Sequence, residues 1–154
     1  MEPKAPEPLP PDLFLYSFSL APRTAICLLV RDTQGGVLLA RRAKGMTMAG
    51  VWHLPGAFVW RGEPFAACAE RIAHKELGAS IVSLNPFGFF EDLDGDPRGH
   101  VVDLVFEATL DAEPRETVES GEVRFFSAVP EGVAFHHDRV LRAAGLPTVP
   151  YLSS

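Results

Sequence analysis

The chain has 154 residues and a formal net charge of −6, with 47% hydrophobic and 22% charged residues. That is one domain with enough chain to bury a core, and too apolar for a disordered segment. Only three of its 14 basic residues are lysines (Lys4, Lys44 and Lys75) and there is no long basic run, which excludes a general nucleic-acid binder. Two cysteines, Cys27 and Cys68, make neither a disulfide framework nor a zinc spacing. No stretch reaches membrane-spanning length, and apolar residues 13–20 lack the basic lead of a signal peptide, so a soluble cytoplasmic domain without a membrane role is expected.

In chain order, residues 1–11 hold five prolines and read as extended, so residues 1–13 are taken as an N-terminal arm and residues 14–154 as the domain. Residues 24–31 (TAICLLVR) and 37–41 are strand candidates around a turn at 33–36, which together predict a hairpin. Residues 43–62 are glycine-rich and carry Trp52, His53, Pro55 and Trp60; they read as a long loop with a short strand, the kind of segment that tends to carry function. Residues 64–77 are the clearest helix, with Pro64 suited to its start and Gly78 to its stop. Strands follow at 81–90, 100–110 and 123–127, and a last helix at 135–144. Strands, helix, strands and helix in that order predict a layered α/β or α+β domain.

On a wheel of about 100° per residue, Phe65, Cys68, Ala69 and Ile72 share one side of the first predicted helix, while Glu70, Arg71, His74 and Lys75 share the other. Glu76 breaks the pattern and falls roughly 20° from Phe65, inside the apolar sector. A carboxylate there must be paired, hydrogen-bonded or bound to a cation. Two readings stay open from the wheel alone: pairing with a neighbouring arginine, or ligation of a hard divalent metal.

Residues 54–81, LPGAFVWRGEPFAACAERIAHKELGASI, resemble the signature of the Nudix hydrolases. Glu63, Arg71, Glu76 and Gly78 stand at the spacing of that signature, and GVWHLPGAF is similar to its entry segment. Residues 96–108, 119–127 and 134–142 resemble the later strands and last helix of bacterial members, including ADP-ribose pyrophosphatase-like ones, so the likeness runs over about residues 22–145. It departs at Ala57, Ile72 and Lys75, where the family has a glycine and two glutamates. A face that holds one carboxylate and a nearby lysine does not suit several cations. The single late glutamate is similar to GDP-mannose mannosyl hydrolases, a branch that uses one metal ion.

The resemblance implies an α/β/α sandwich around a mixed sheet, and hydrolysis of a nucleoside diphosphate linked to another moiety. It implies Mg²⁺ or Mn²⁺ held by Glu76, by Glu119 and by backbone at Gly56 and Ala57. Glu63 and Arg71 would shape the loop as part of the catalytic set, with Arg41, Arg42 and Arg98 as phosphate or substrate contacts, since guanidinium groups match phosphate geometry. The mannosyl-hydrolase branch would place its catalytic histidine at Ser120, which is no base. Carbon attack on the sugar and a degenerate domain that binds nucleotide without turnover are carried as alternatives, and a homodimer in which the arm crosses to a second subunit is left open. Asp92, Asp94 and Asp96 do not make a calcium loop, because Pro97 and Asp103 replace its glycine and glutamate. His136 and His137 read as surface or packing residues, and Cys68 as core.

Overall fold

The computed structural model describes residues 8–46 and 48–148. Residues 1–7 of the expected arm lie outside the described residues. A short helix, α1 (Pro11–Ser17), starts inside the stretch read as extended, with Pro11 in its first turn, where a missing N–H costs nothing. Then come β1 (Arg23–Leu29), β2 (Val37–Arg41), β3 (Trp52–His53), β4 (Gly56–Phe58), α2 (Phe65–Ile72), β5 (Ile81–Asp92), β6 (Val101–Leu110), β7 (Val123–Phe126) and α3 (His137–Ala143).

The central sheet is mixed, in the order β4-β1-β6-β5, with β1 parallel to β6 and the other two pairings antiparallel. A strand buried on both faces should read as a continuous apolar run, and β1 does. Its alternate residues serve two cores. Ile26 and Leu28, with Val30 just past the strand's end, pack with Cys68, Ala69, Ile72 and Leu77 of the helical segment after β4. Cys27 and Leu29 pack with Val140 and Leu141 of α3. Helix, sheet and helix therefore form the expected α/β/α layers.

The expected hairpin of β1 and β2 is corrected. The turn is present: Leu38 N–H donates to Val30 O (2.9 Å), and Asp32 Oδ1 accepts the Gly36 N–H (2.7 Å). Past it the strands part, and β2 joins a second sheet of order β3-β2-β7. The partners that draw them apart, β6 and β7, come more than 60 residues later in the chain.

The helix expected at residues 64–77 is α-helical only over α2 and continues as a π-helical turn, Ala73–Leu77. Gly78 ends it in the left-handed region (φ 62°), the conformation that makes glycine the usual helix stop. At the other end of the sheet, α1 docks on β4. Phe14 and Phe18 meet the Phe58 ring at centroid distances of 5.6 and 5.5 Å, and the Arg23 guanidinium lies over all three rings. Among the described residues, no helix is long and apolar enough to cross a membrane.

Candidate functional site

Strand β4 lies against β1 so closely that a Cβ on Gly56 would stand 2.8 Å from Ile26 O, so only glycine fits there. The approach carries the Gly56 N–H to Glu76, which accepts it on Oε2 at 2.9 Å. Glu76 is thus aimed at the loop. Burial pushes its pKa up to about 8; the Gly56 N–H and the charges of Arg42 and Arg71 pull against that rise, and the nearby Glu119 adds to it.

Glu63 and Arg71 form a two-pronged pair. Arg71 Nε donates to Glu63 Oε2 (2.9 Å) and Nη2 to Oε1 (2.8 Å), while Nη2 also donates to Phe58 O (2.9 Å). The guanidinium stacks 3.9 Å from the Trp60 ring centroid. Burial works against a charged Glu63, yet the hydrogen bonds from Arg71 and the Trp60 N–H hold its carboxyl below the usual range. Arg71 so ties the start of the helical segment, the loop and the end of β4 into one unit.

A cavity of about 170 Å³ opens beside Gly56 and Ala57. Arg42, Arg98, Phe58 and Phe135 line its walls, and His53, Asp92, Asp103 and His137 lie deeper. Arg42 sits over the Phe135 ring at 5.0 Å. Burial, and then the charge of Arg98, lower its pKa, so two guanidinium groups share a confined space that favours an anion. Arg98 is held flat by a bidentate pair with Asp96 (2.9 and 2.8 Å). Arg41 turns elsewhere: its Nε donates to Gly50 O (3.0 Å) and it faces Glu122, away from the residues that line the cavity. Glu119 is exposed, on the loop before β7. Ser120 is buried, with Oγ bonded to the Thr117 N–H and to Gly121 O. Of the divergent signature positions, Ile72 is 1% exposed in the core and Lys75 is exposed near Trp60.

His137 is buried, as packing requires, but it also belongs to a polar cluster that sequence spacing did not reveal. Cys27 Sγ, the Asp103 carboxylate and His137 Nε2 form a triangle: Sγ lies 3.6 Å from Oδ1 and 3.7 Å from Nε2, and Nε2 lies 3.6 Å from Oδ2. The edges suit a metal, but the histidine does not. Its Nδ1 accepts the Leu54 N–H (3.0 Å), so the ring hydrogen sits on Nε2 and points into the triangle. The cluster is a hydrogen-bonded floor for the cavity. Its members are 110 and 76 positions apart in the chain, a separation no local motif announces. Burial raises the Cys27 thiol well above its ordinary pKa, and burial lifts Cys68 to about 12, so neither is a nucleophile at neutral pH.

Comparison with known proteins agrees with this geometry. The family model of the NUDIX domain matches residues 21–144. An ADP-ribose pyrophosphatase of Methanocaldococcus jannaschii is 29% identical over 134 residues, which is 85% of this chain and 78% of that protein. The crystal structure of a MutT NUDIX hydrolase from Burkholderia pseudomallei superposes with a TM-score of 0.69 at 26% identity, over 80% of this chain and 96% of that one. The NUDIX domain of Shewanella oneidensis NrtR, complexed with ADP ribose, shares the fold at 18% identity, with a TM-score of 0.64 over 88% and 97% of the two chains. With the loop clasped by Glu63 and Arg71 and the inward Glu76 at the matching positions, the chain belongs to the Nudix family and is a pyrophosphohydrolase of the Nudix type.

Proposed function

We propose that the protein hydrolyses a nucleoside diphosphate linked to another moiety, of the ADP-ribose or nucleotide-sugar type, by water attack on the pyrophosphate. The observation that carries the reading is the inward, partly buried Glu76 carboxylate, bonded to the Gly56 N–H beside a cavity walled by Arg42 and Arg98. The names of the relatives, one an ADP-ribose pyrophosphatase and one a domain complexed with ADP ribose, support the substrate class.

The donor set fits a hard divalent cation. Glu76 is a partly buried carboxylate whose charge is opposed by burial and by Glu119, and backbone carbonyls at Gly56 and Ala57 add oxygen ligands of the kind Mg²⁺ and Mn²⁺ prefer. A structural neighbour from Francisella tularensis was solved with AMP and a manganese ion, at 15% identity. Bound at Glu76, Glu119 and that backbone, the cation would supply Lewis-acid polarisation of a phosphoryl oxygen.

The remaining work belongs to the chain's own groups. Arg42 and Arg98 offset the diphosphate charge in a confined site, where each such contact is stronger than in water. Arg71 and Glu63 hold the loop rigid, so that the Gly56 backbone keeps its place against Glu76. Attack at the sugar carbon lacks a base at Ser120, whose hydroxyl is buried and already bonded.

The test is a panel of ADP-ribose and nucleotide sugars with Mg²⁺ or Mn²⁺, run in ¹⁸O water, with Glu76→Gln beside the parent. Label in the phosphate products, and a loss of roughly a hundredfold or more in the variant, are expected. Label in the sugar, or equal rates for the two proteins, overturns the reading.

A further inference from the structure

Three buried carboxylates line the cavity, and two of them have a polar or charged group facing both oxygens. Asp96 takes both arms of Arg98. Asp103 faces the Cys27 thiol and His137 Nε2. Asp92, at the end of β5, is 0% exposed and lines the same cavity. Its Oδ1 accepts the Gly95 N–H at 2.6 Å, but its Oδ2 is the one buried carboxylate oxygen among the described residues with no hydrogen-bond partner. Folded proteins seldom leave such an atom unmatched, and those that do usually reserve it for a ligand or water.

The local cations are already committed. His136 Nε2 is 2.8 Å from Asp94 Oδ1 and 3.9 Å from Asp92 Oδ1, and Arg98 belongs to Asp96. A phosphate, which only accepts, cannot satisfy Asp92. The missing partner is an N–H or O–H donor. Phe58 and Phe135 stand in the same walls, with Arg98 Cζ 5.0 and 5.9 Å from their ring centroids. Phe135 and His136 hold consecutive left-handed backbones (φ 59° and 55°), a conformation that costs a side-chain-bearing residue free energy and that aims a ring at the cavity.

Resting on the function proposed above, we propose that Asp92 is a specificity-determining residue: its Oδ2 accepts a hydrogen bond from the nucleoside half of the substrate, from an exocyclic amine of the base or a ribose hydroxyl. The substrate class narrows accordingly to nucleoside diphosphate derivatives that present such a donor about 3 Å from this oxygen. In Asp92→Asn the amide oxygen stays on the Gly95 N–H, and an NH₂ group, which cannot accept, takes the place of Oδ2.

The experiment measures binding by calorimetry in Mg²⁺, with α,β-methylene ADP-ribose and its hypoxanthine, 2′-deoxyadenosine and 3′-deoxyadenosine counterparts. The parent should bind the adenosine compound at least about tenfold more tightly than one of the three counterparts. Loss with hypoxanthine identifies the amine, and loss with a deoxyribose identifies that hydroxyl. Asp92→Asn should weaken the adenosine compound by a similar factor and leave the donor-lacking counterpart unchanged. A parent that binds all four within about twofold overturns the role of Asp92, and that result is readable even if the variant does not fold; so does a variant that weakens all four alike. A parent that binds none of them removes the nucleoside diphosphate reading as well, which separates the two failures.

Discussion

The Gly56 N–H and the Glu76 carboxylate meet at 2.9 Å across 20 positions of sequence, and that contact is where loop, sheet and helix are joined. It has a thermodynamic consequence. Burial raises the folded-state pKa of Glu76 from 4.5 to about 8, so the folded chain binds this proton more tightly than the unfolded chain does. Its contribution to stability is therefore full below about pH 4.5 and declines as pH rises through the window to about 8. Urea unfolding in chelator should show Glu76→Gln gaining on the parent across that window, by on the order of 2–4 kcal/mol at pH 8. Parallel pH profiles for the two proteins would show that the carboxylate is not desolvated.

The Glu63–Arg71 pair should prove structural and catalytic at once. Both side chains are largely buried, 4% and 16% exposed, so removing one charge strands the other. Glu63→Gln should cost about 3 kcal/mol of stability. Arg71→Lys keeps the charge but cannot make the two-pronged pair, reach Phe58 O and stack on Trp60 together. It should lower kcat/KM by about tenfold or more while the fold survives. An Arg71→Lys protein with unchanged kinetics would mean the loop is held by other contacts.

How much of this was legible depended on distance along the chain. Strand β1 and the turn at 33–36 follow from residues a few places apart, where periodicity and turn chemistry act, while the joint role of Glu63 and Arg71 came from the resemblance to the family signature. The inward aim of Glu76 was visible as a carboxylate in an apolar sector. The parting of β1 and β2 was not visible, because β6, which pairs with β1, and β7, which pairs with β2, arrive more than 60 residues later. Nor was the π-helical turn, since a wheel at a constant 100° has no place for it. The floor of Cys27, Asp103 and His137 and the unmatched Asp92 depend on three distant segments meeting. Arg41 and Arg42 are neighbours in sequence, but Arg41 closes β2 and Arg42 lies just past it, and the two side chains enter different surroundings.

The divergent signature positions make a paired prediction. Ile72 stands where the family has a glutamate, yet here it packs against the β1 face of the core. Ile72→Glu would bury an unpaired carboxylate and should cost about 3 kcal/mol or more without improving activity. Lys75 is exposed, so Lys75→Glu should change stability by no more than about 0.5 kcal/mol. Denaturant midpoints of the two variants decide it. An Ile72→Glu protein as stable as the parent would mean that position 72 opens to solvent or to a cation.

His53 sets the acid limit of the fold. It is buried beside the cavity, and the contact of Nδ1 with Leu54 O (2.6 Å) places the ring hydrogen there. Burial, followed by the charge of Arg42, lowers its pKa from 6.5 to about 3, against the pull of the Leu54 contact. The unfolded chain then takes up a proton that the folded chain refuses, so this contribution is full above about pH 6.5 and is lost as pH falls toward 3. The slope is at most about 1.4 kcal/mol per pH unit. His53→Gln retains an N–H for Leu54 O and has nothing to titrate, so its unfolding free energy should fall less steeply than the parent's over that window. The carboxylates titrate in both proteins and cancel in the difference. If the difference is flat with pH, His53 is already charged in the folded protein, and the cavity floor is wetter than its burial indicates.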